Sequence, residues 1–555
     1  MIEVENLWFK YEGSRDWVLK NVNFKVGSKE FAVIMGPNGS GKSTLVRILA
    51  GLIPKFYHGE LRGNVRVGGI DVLKKPEEVF KVASFIFEDP EVQLVTTTVR
   101  DEVSFGPCNL GLSREEIVRR VKWSLEVVKG AHLEGRSTFE LSLGEMQKVV
   151  LASVLSLKPK VLVLDEPSVF LETKTASRLY SLLKDLTTKL GITVVVVEHE
   201  LDRVIEYADR IIVLDEGRVV WQSSVENLTI RSIETSHIPV PLPEAAIIVK
   251  LLKDERLYEV SLTRLAKFVK QGLRLKHVKH YYVDYGEIKG FRKNIVILKN
   301  VWFKYPRAST YVLKNINLNI RDKEHVGILG PNGSGKSTLI KILIGLLKPT
   351  RGSVEVLGVN PRNRRELIGK IGYVPQNPTL TFTSPTVFDE VFNTAKKLKI
   401  PNPEEETENV LKITGLDNYR DFRVLELSYG LRRRLSIATA LVSKPKLLIL
   451  DEPTTYLDYK AKENLIRILE KIRKNVTLII ASQDPGIITR LCNMMLVLDK
   501  GTIIAYGSTR KLIYTLNLAD LNIEEPLIIR LTKKFFKQIN YGPLSVEEFA
   551  EMIAK

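Results

Sequence analysis

Nine residues, Gly36-Pro37-Asn38-Gly39-Ser40-Gly41-Lys42-Ser43-Thr44, recur without change as Gly330-Pro331-Asn332-Gly333-Ser334-Gly335-Lys336-Ser337-Thr338, 294 positions further along a chain of 555 residues. Each copy satisfies G-x-x-x-x-G-K-[ST], follows an apolar β-like run (31–35 and 326–329) and opens a helical pattern (45–49 and 339–343). That strand-loop-helix setting implies an α/β fold with a phosphate loop in each half. The glycines let backbone N–H groups converge on phosphate oxygens, and the helix N-terminus adds partial positive charge. The ligand is a nucleoside triphosphate. Lys42 and Lys336 are placed to bridge its β- and γ-phosphates, and Ser43 and Ser337 to ligate Mg²⁺.

A composition of 44% apolar and 27% charged residues is that of a water-soluble globular protein with several domains and ample core. No run approaches the ~18 consecutive apolar residues that a spanning helix needs. The start, Met1-Ile2-Glu3-Val4-Glu5, carries no signal-peptide pattern. Two cysteines, Cys108 and Cys492, exclude a disulfide framework or an iron–sulfur site, so a cytosolic protein is expected. The formal charge of +18 suits an anionic membrane surface, an RNA partner or merely a lysine-rich surface. The many Lys, Arg, Ile and Val residues hint at a heat-loving host.

The whole chain reads as a duplication. Ser142 and Asp165 return as Ser428 and Asp451, each 286 positions on. Leu7-Trp8-Phe9-Lys10-Tyr11 returns as Val301-Trp302-Phe303-Lys304-Tyr305, and Thr98-Val99-Arg100-Asp101-Glu102-Val103 as Thr386-Val387-Phe388-Asp389-Glu390-Val391. The expected domains are a nucleotide domain over 1–240, an appendage and basic linker over 241–294, a second nucleotide domain over 295–523 and a helical appendage over 524–555. Within that last piece a helical tail starts with capping-box spacing at Ser545 to Glu548. The basic, aromatic stretch 272–293 reads as a tether with a solvated face; a nucleic-acid strip is the alternative. Linkage raises the effective concentration of the two domains, which favours a pseudo-symmetric intramolecular pair.

In each half an apolar strand ends in two acids, Asp165-Glu166 and Asp451-Glu452. The first acid can hold the Mg²⁺ shell, and the second can orient and deprotonate attacking water. Leu141-Ser142-Leu143-Gly144-Glu145 and Leu427-Ser428-Tyr429-Gly430-Leu431 each put a serine N-cap and a glycine at a helix start, which suits a γ-phosphate. Ser142 with Glu145 also fits a purely structural capping box.

With these motifs in this order, both halves resemble ATP-binding-cassette (ABC) ATPases along nearly their full length. The family signature, usually Leu-Ser-Gly-Gly-Gln, is approximated twice. The resemblance implies two P-loop domains, each with a helical subdomain between Q-loop and signature, packed head to tail. One ATP would then meet Lys42, Asp165, Glu166, Ser428 and Gly430; the other would meet Lys336, Asp451, Glu452, Ser142 and Gly144. Tyr11 and Tyr305 match the aromatic that stacks on adenine, although strand-edge packing explains them as well.

The halves depart unequally from the family pattern. The Q-loop glutamine, a Mg²⁺ contact, matches Gln376, but Glu88 takes that place in the first half. A carboxylate there keeps an oxygen ligand and adds negative charge. The switch histidine matches His199, whereas the second half has Gln483, which can donate a hydrogen bond but carries no positive charge. Leu457-Asp458 keeps the usual D-loop ending and Leu171-Glu172 lengthens it. Both sites keep their second acid, so both are expected to hydrolyse ATP, the first site faster.

Glu88-Asp89-Pro90-Glu91-Val92-Gln93-Leu94 and the segment 98–112 are similar to energy-coupling-factor importers and their cobalt and nickel relatives. That resemblance implies an ATPase at the cytoplasmic face of the membrane, driving uptake of a vitamin or metal ion. An integral membrane subunit would dock through cationic helices near Glu88, Asp89, Glu91 and Gln376. No nucleic acid is expected. The competing expectation is a twin ABC ATPase acting on ribosomes or RNA machinery; an ATP-binding scaffold without turnover is disfavoured by the intact acids.

Overall fold

The computed structural model describes residues 1–88, 90–168, 171, 173–251, 257–265, 293–306, 308–455, 457, 459–535, 542–545 and 548–549. The chain divides into two compact units, 1–271 and 272–555. Asp89, Glu172, Asp458 and all but Lys293 of the basic stretch 272–293 lie outside the described residues.

In the first unit, strands β1 (Ile2–Tyr11), β2 (Leu19–Val26), β4 (Gly59–Val67) and β5 (Ile70–Asp71) form an antiparallel sheet in the order β2-β1-β4-β5. Buried and exposed side chains alternate along much of β1 and β2, as a sheet covered on one face requires. A second sheet has the order β10-β9-β3-β8-β7-β6. It is built from β3 (Phe31–Met35), β6 (Ala83–Ile86), β7 (Val161–Asp165), β8 (Thr193–Val197), β9 (Arg210–Asp215) and β10 (Arg218–Ser224). Its inner strands pair in parallel. Every residue of β3, β7 and β8 is buried, which explains why these segments are unbroken apolar runs: both faces of the sheet are covered.

The helix Lys42–Leu49 sits in the core between the two sheets, with Leu45, Val46, Ile48 and Leu49 fully buried among Phe9, Ile34, Val163 and Val195. A helical insert, Val99–Asn109 and Arg114–Val127, separates β6 from the helix Leu143–Leu155. Thr98 and Ser113 cap the two insert helices by accepting from Asp101 N–H and Glu116 N–H.

The second unit repeats this plan. Strands β11 (Asn294–Phe303), β12 (Leu313–Arg321) and β14 (Arg351–Val356) form an antiparallel sheet. The larger sheet has the order β15-β16-β17-β13-β18-β19, from β13 (Val326–Leu329), β15 (Ile371–Val374), β16 (Leu447–Asp451), β17 (Thr477–Ser482), β18 (Met494–Asp499) and β19 (Thr502–Ser508). Short helices follow each sheet, Ile230–Thr235 and Glu244–Leu251 in one unit, Thr509–Thr515 and Leu527–Phe535 in the other. Ser545 Oγ accepts the N–H of Glu548 at 3.2 Å, and Arg510 clasps the Glu548 carboxylate at 2.8 and 2.9 Å. Among the described residues no helix is long and apolar enough to cross a membrane.

Candidate active sites

Parallel pairing places the carboxyl ends of β3, β8 and β7 side by side, and the chemistry-bearing residues follow directly on those ends. Glu198 N–H continues the ladder to Ile34 O at 3.1 Å, and Glu166 N–H reaches Val197 O at 3.1 Å. The phosphate loop, the acid pair and the switch histidine thus share one edge of one sheet.

The loop itself depends on glycine. Gly36 has φ 143°, and a Cβ there would lie 2.0 Å from Leu214 O; Gly41 has φ 100° and ends the loop as the N-cap of Lys42–Leu49. Lys42 Nζ donates to Gly36 O at 2.9 Å and Pro37 O at 2.8 Å, and Lys336 Nζ to Gly330 O at 2.7 Å and Pro331 O at 3.1 Å. Ser40 Oγ and Ser334 Oγ are buried in the two loops without a hydrogen-bond partner. These hydroxyls suit phosphate oxygens, since a buried polar group is otherwise costly.

Asp165 and Asp451 are buried beside the loop serines. Ser337 Oγ donates to Asp451 Oδ1 at 3.1 Å, and Ser43 hydrogen-bonds Asp165. Burial, with the neighbouring Glu166 charge, pushes Asp165 up to about 6 against the opposing pull of Ser43 and Lys42. Burial also raises Asp451. Asp165 Oδ1 makes no hydrogen bond. A hydroxyl beside an orphaned, desolvated carboxylate oxygen is a hard-oxygen donor set that fits Mg²⁺.

Glu166 and Glu452 both adopt left-handed backbone conformations, φ 47° and 44°. Residues other than glycine hold that conformation less often, and the two acids share it at equivalent places in the two units. Their side chains meet different partners. His199 Nε2 lies 2.5 Å from Glu166 Oε1, both groups mostly buried. Glu452 Oε1 lies 3.3 Å from Lys336 Nζ, while its Oε2 accepts from Ser482 Oγ and from Gln483 N–H, each at 3.3 Å. Gln483 thus meets the acid through its backbone. Burial pushes Glu452 up despite the Lys336 charge.

Tyr11 and Tyr305 stand over the loop helices. Tyr11 Oη is 3.1 Å from Thr44 Oγ1 and accepts from Arg47 at 3.2 Å; Tyr305 Oη is 3.2 Å from Thr338 Oγ1. Each ring also packs edge-on against its strand neighbour, Phe9 or Phe303, as strand-edge packing requires.

The two signatures differ. Ser142, exposed, donates its N–H and its hydroxyl to Glu145 Oε2, both at 2.8 Å, and Arg136 pairs with the same carboxylate at 2.8 Å. The Ser142 N–H and the burial-opposed pull of Arg136 hold Glu145 below the usual range. Ser428, also exposed, accepts from Leu431 N–H at 3.4 Å. Gly144 has room around it, whereas a Cβ on Gly430 would press on Ala461 at 3.0 Å.

Glu88, Glu91 and Gln376 are exposed at the ends of β6 and β15. Three residues here escaped the motif reading. Gln93 staples the first Q-loop, accepting from Phe87 N–H at 3.1 Å and donating to Phe85 O at 2.9 Å. In the second unit the fully buried Arg433 donates to Pro375 O and, at 2.6 Å, to Gln376 O, which Tyr429 Oη also reaches at 3.0 Å. Glu198 lies buried directly before His199. A charged residue at a periodically apolar position was the available signal for Arg433 and Glu198.

The sequence profile of the family described as ABC transporter matches residues 19–169 and 313–455. A Methanosarcina acetivorans protein, provisionally named an ABC transporter ATP-binding protein, is 31% identical over all of this chain and 91% of its own length. One of Caldanaerobacter subterraneus, named in the same way, is 33% identical over 99% of this chain and 98% of its own. A Bacillus subtilis protein, YkoD, provisionally named an HMP/thiamine import ATP-binding protein, is 29% identical over 92% of both chains.

Proposed function

This chain belongs to the ABC transporter family as two fused ATPase cassettes, and we propose that it is the motor subunit of an energy-coupling-factor-like importer. It hydrolyses ATP to drive uptake of a vitamin or metal ion through a separate membrane protein. The observation that carries the importer reading is one short stretch of the first unit. Glu88, Glu91, Val92 (74% exposed) and Val95 (65% exposed) all face solvent at the Q-loop. Acids interleaved with apolar side chains complement a cationic amphipathic helix of a membrane subunit. The likeness to the import protein YkoD supports the same reading.

In this account each cassette binds and hydrolyses one ATP, through Lys42, Asp165 and Glu166 in the first and Lys336, Asp451 and Glu452 in the second. The loop N–H groups and lysines hold the phosphates in line, and Glu166 or Glu452 orients water and accepts its proton. Ser43 and Asp165 in the first cassette, and Ser337 and Asp451 in the second, would hold Mg²⁺, with Glu88 and Gln376 as candidate further oxygen donors, and the ion would supply positive charge to the phosphates. His199, held on Glu166, fixes the general base in the first site and makes it the faster one. Hydrolysis moves the docked membrane subunit.

Purification of the tagged chain from source membranes tests the reading. A small polytopic membrane protein with arginine-bearing cytoplasmic loops should co-purify, and E91Q/V92S should lose it while binding ATP normally. Salt-dependent sedimentation with ribosomes instead would contradict the importer reading.

A further inference from the structure

Glu198 is 2% exposed, yet all four of its acceptor sites are used. Its Oε1 accepts the backbone N–H groups of His199 at 2.8 Å and Glu200 at 3.2 Å. Its Oε2 accepts from Ser168 Oγ at 2.7 Å and from Tyr180 Oη. Arg203 donates to Ser168 O at 3.2 Å and Ser168 Oγ at 2.8 Å, and its Nε pairs with Glu200 at 2.7 Å. Burial opposes ionisation, but Arg203 and the donors outweigh it and keep the carboxyl below its usual range.

This cluster spans the two segments that carry the reacting groups. Ser168 lies two residues after Glu166, and the N–H groups belong to His199 and its successor. Fixing both backbones fixes the 2.5 Å approach of His199 Nε2 to Glu166 Oε1. In the second unit the corresponding positions are Ser482 for Glu198, Ile466 for Tyr180 and Ile487 for Arg203, all buried. There Ser482 Oγ contacts the acid Glu452 itself. The buried Glu198 therefore accompanies the histidine; where glutamine stands, Ser482, Ile466 and Ile487 take the places of Glu198, Tyr180 and Arg203, and an ion pair there joins Lys462 to Asp484 at 2.6 Å.

We propose that Glu198 is a positioning residue, holding the switch-histidine backbone against the segment after Glu166 so that His199 engages the general base. The proposal rests on the reading that His199 and Glu166 are the hydrolytic pair of the first site.

The test is a double-mutant cycle in an E452Q background, which isolates the first site. Turnover, KM for ATP and thermal melting are measured for E198Q, H199A and E198Q/H199A. E198Q should lower kcat about tenfold or more, with KM changed by less than about twofold, and E198Q/H199A should be no slower than H199A. Losses that multiply would overturn the proposal, because Glu198 would then act independently of His199. An unaltered H199A would instead remove the hydrolytic pair itself, and the proposal with it. Should E198Q not fold, Y180F keeps the ring and drops one donor. A fall in kcat of about threefold, absent in the H199A background, supports the proposal; a fall persisting there overturns it.

Discussion

Lys336 Nζ and Glu452 Oε1 are 3.3 Å apart, with only 6% and 8% of their side chains exposed. Lys336, proposed to bind phosphate, is thus ion-paired with Glu452, the acid proposed to activate water. On the proposed function, binding of ATP draws Lys336 from Glu452 and leaves the carboxylate near the γ-phosphate. E452Q removes both obstacles. In a K42A background, which weakens the first site, E452Q should bind ATP about tenfold more tightly, equivalent to about 1.4 kcal/mol. A titration with a fluorescent ATP analogue reads this directly, and an unchanged or weaker affinity would show that the pair imposes no barrier.

Asp165 supplies a prediction in pH. Its folded-state pKa, about 6, lies above the unfolded value, so the folded state binds the proton more tightly. The stabilisation from the protonated group is fully present below about pH 4 and is lost as pH rises towards 6. A shift of about two units corresponds to about 3 kcal/mol of cost at neutral pH. D165N, nucleotide-free at pH 7.5, should therefore melt several degrees higher than the parent while losing Mg²⁺-dependent turnover. The gain should shrink on acidification. A melting temperature that falls on substitution would contradict this.

Arg433 gives a third. Truncation to alanine leaves the carbonyls of Pro375 and Gln376 short of donors and opens a cavity, at a cost of about 3 kcal/mol. R433Q should cost much less, since glutamine occupies the corresponding Gln147 of the first unit. Thermal unfolding ranks the variants. Hydrogen exchange should show faster exchange around 375–379 in R433A, and protection equal to the parent would remove the assigned role.

The motifs disclosed the sheets and the site outline because local chemistry dictates them. Gly36 needs its backbone freedom, the runs 161–165 and 193–197 must be buried on both faces, and the acids mark strand ends. What the motifs could not disclose were partnerships decided by packing between distant segments. Nothing near Glu452 in sequence announces Lys336, and nothing near Tyr429 announces Gln376 O. The left-handed backbone at Glu166 and Glu452 is equally invisible in a strand-end pattern. At the first signature the sequence allows Ser142 either a γ-phosphate contact or a capping box with Glu145. Its 2.8 Å contacts with Ser142 establish the cap, and they also occupy the hydroxyl assigned to phosphate.

Ser142 itself yields a prediction from that contact. E145Q, the residue usual in the family signature, removes a carboxylate from beside the serine assigned to γ-phosphate and should lower KM for ATP several-fold in an E166Q background. Steady-state hydrolysis measures it. A raised KM would mean that the capping carboxylate is needed more than its charge is harmful.

The central claim is two working but unequal ATP sites, the first governed by His199 on Glu166. Single-turnover hydrolysis of radiolabelled ATP by E166Q and by E452Q tests it most directly. The account predicts that E166Q abolishes the fast phase and leaves a slow one, whereas E452Q retains the fast phase. Equal losses in the two variants would contradict it.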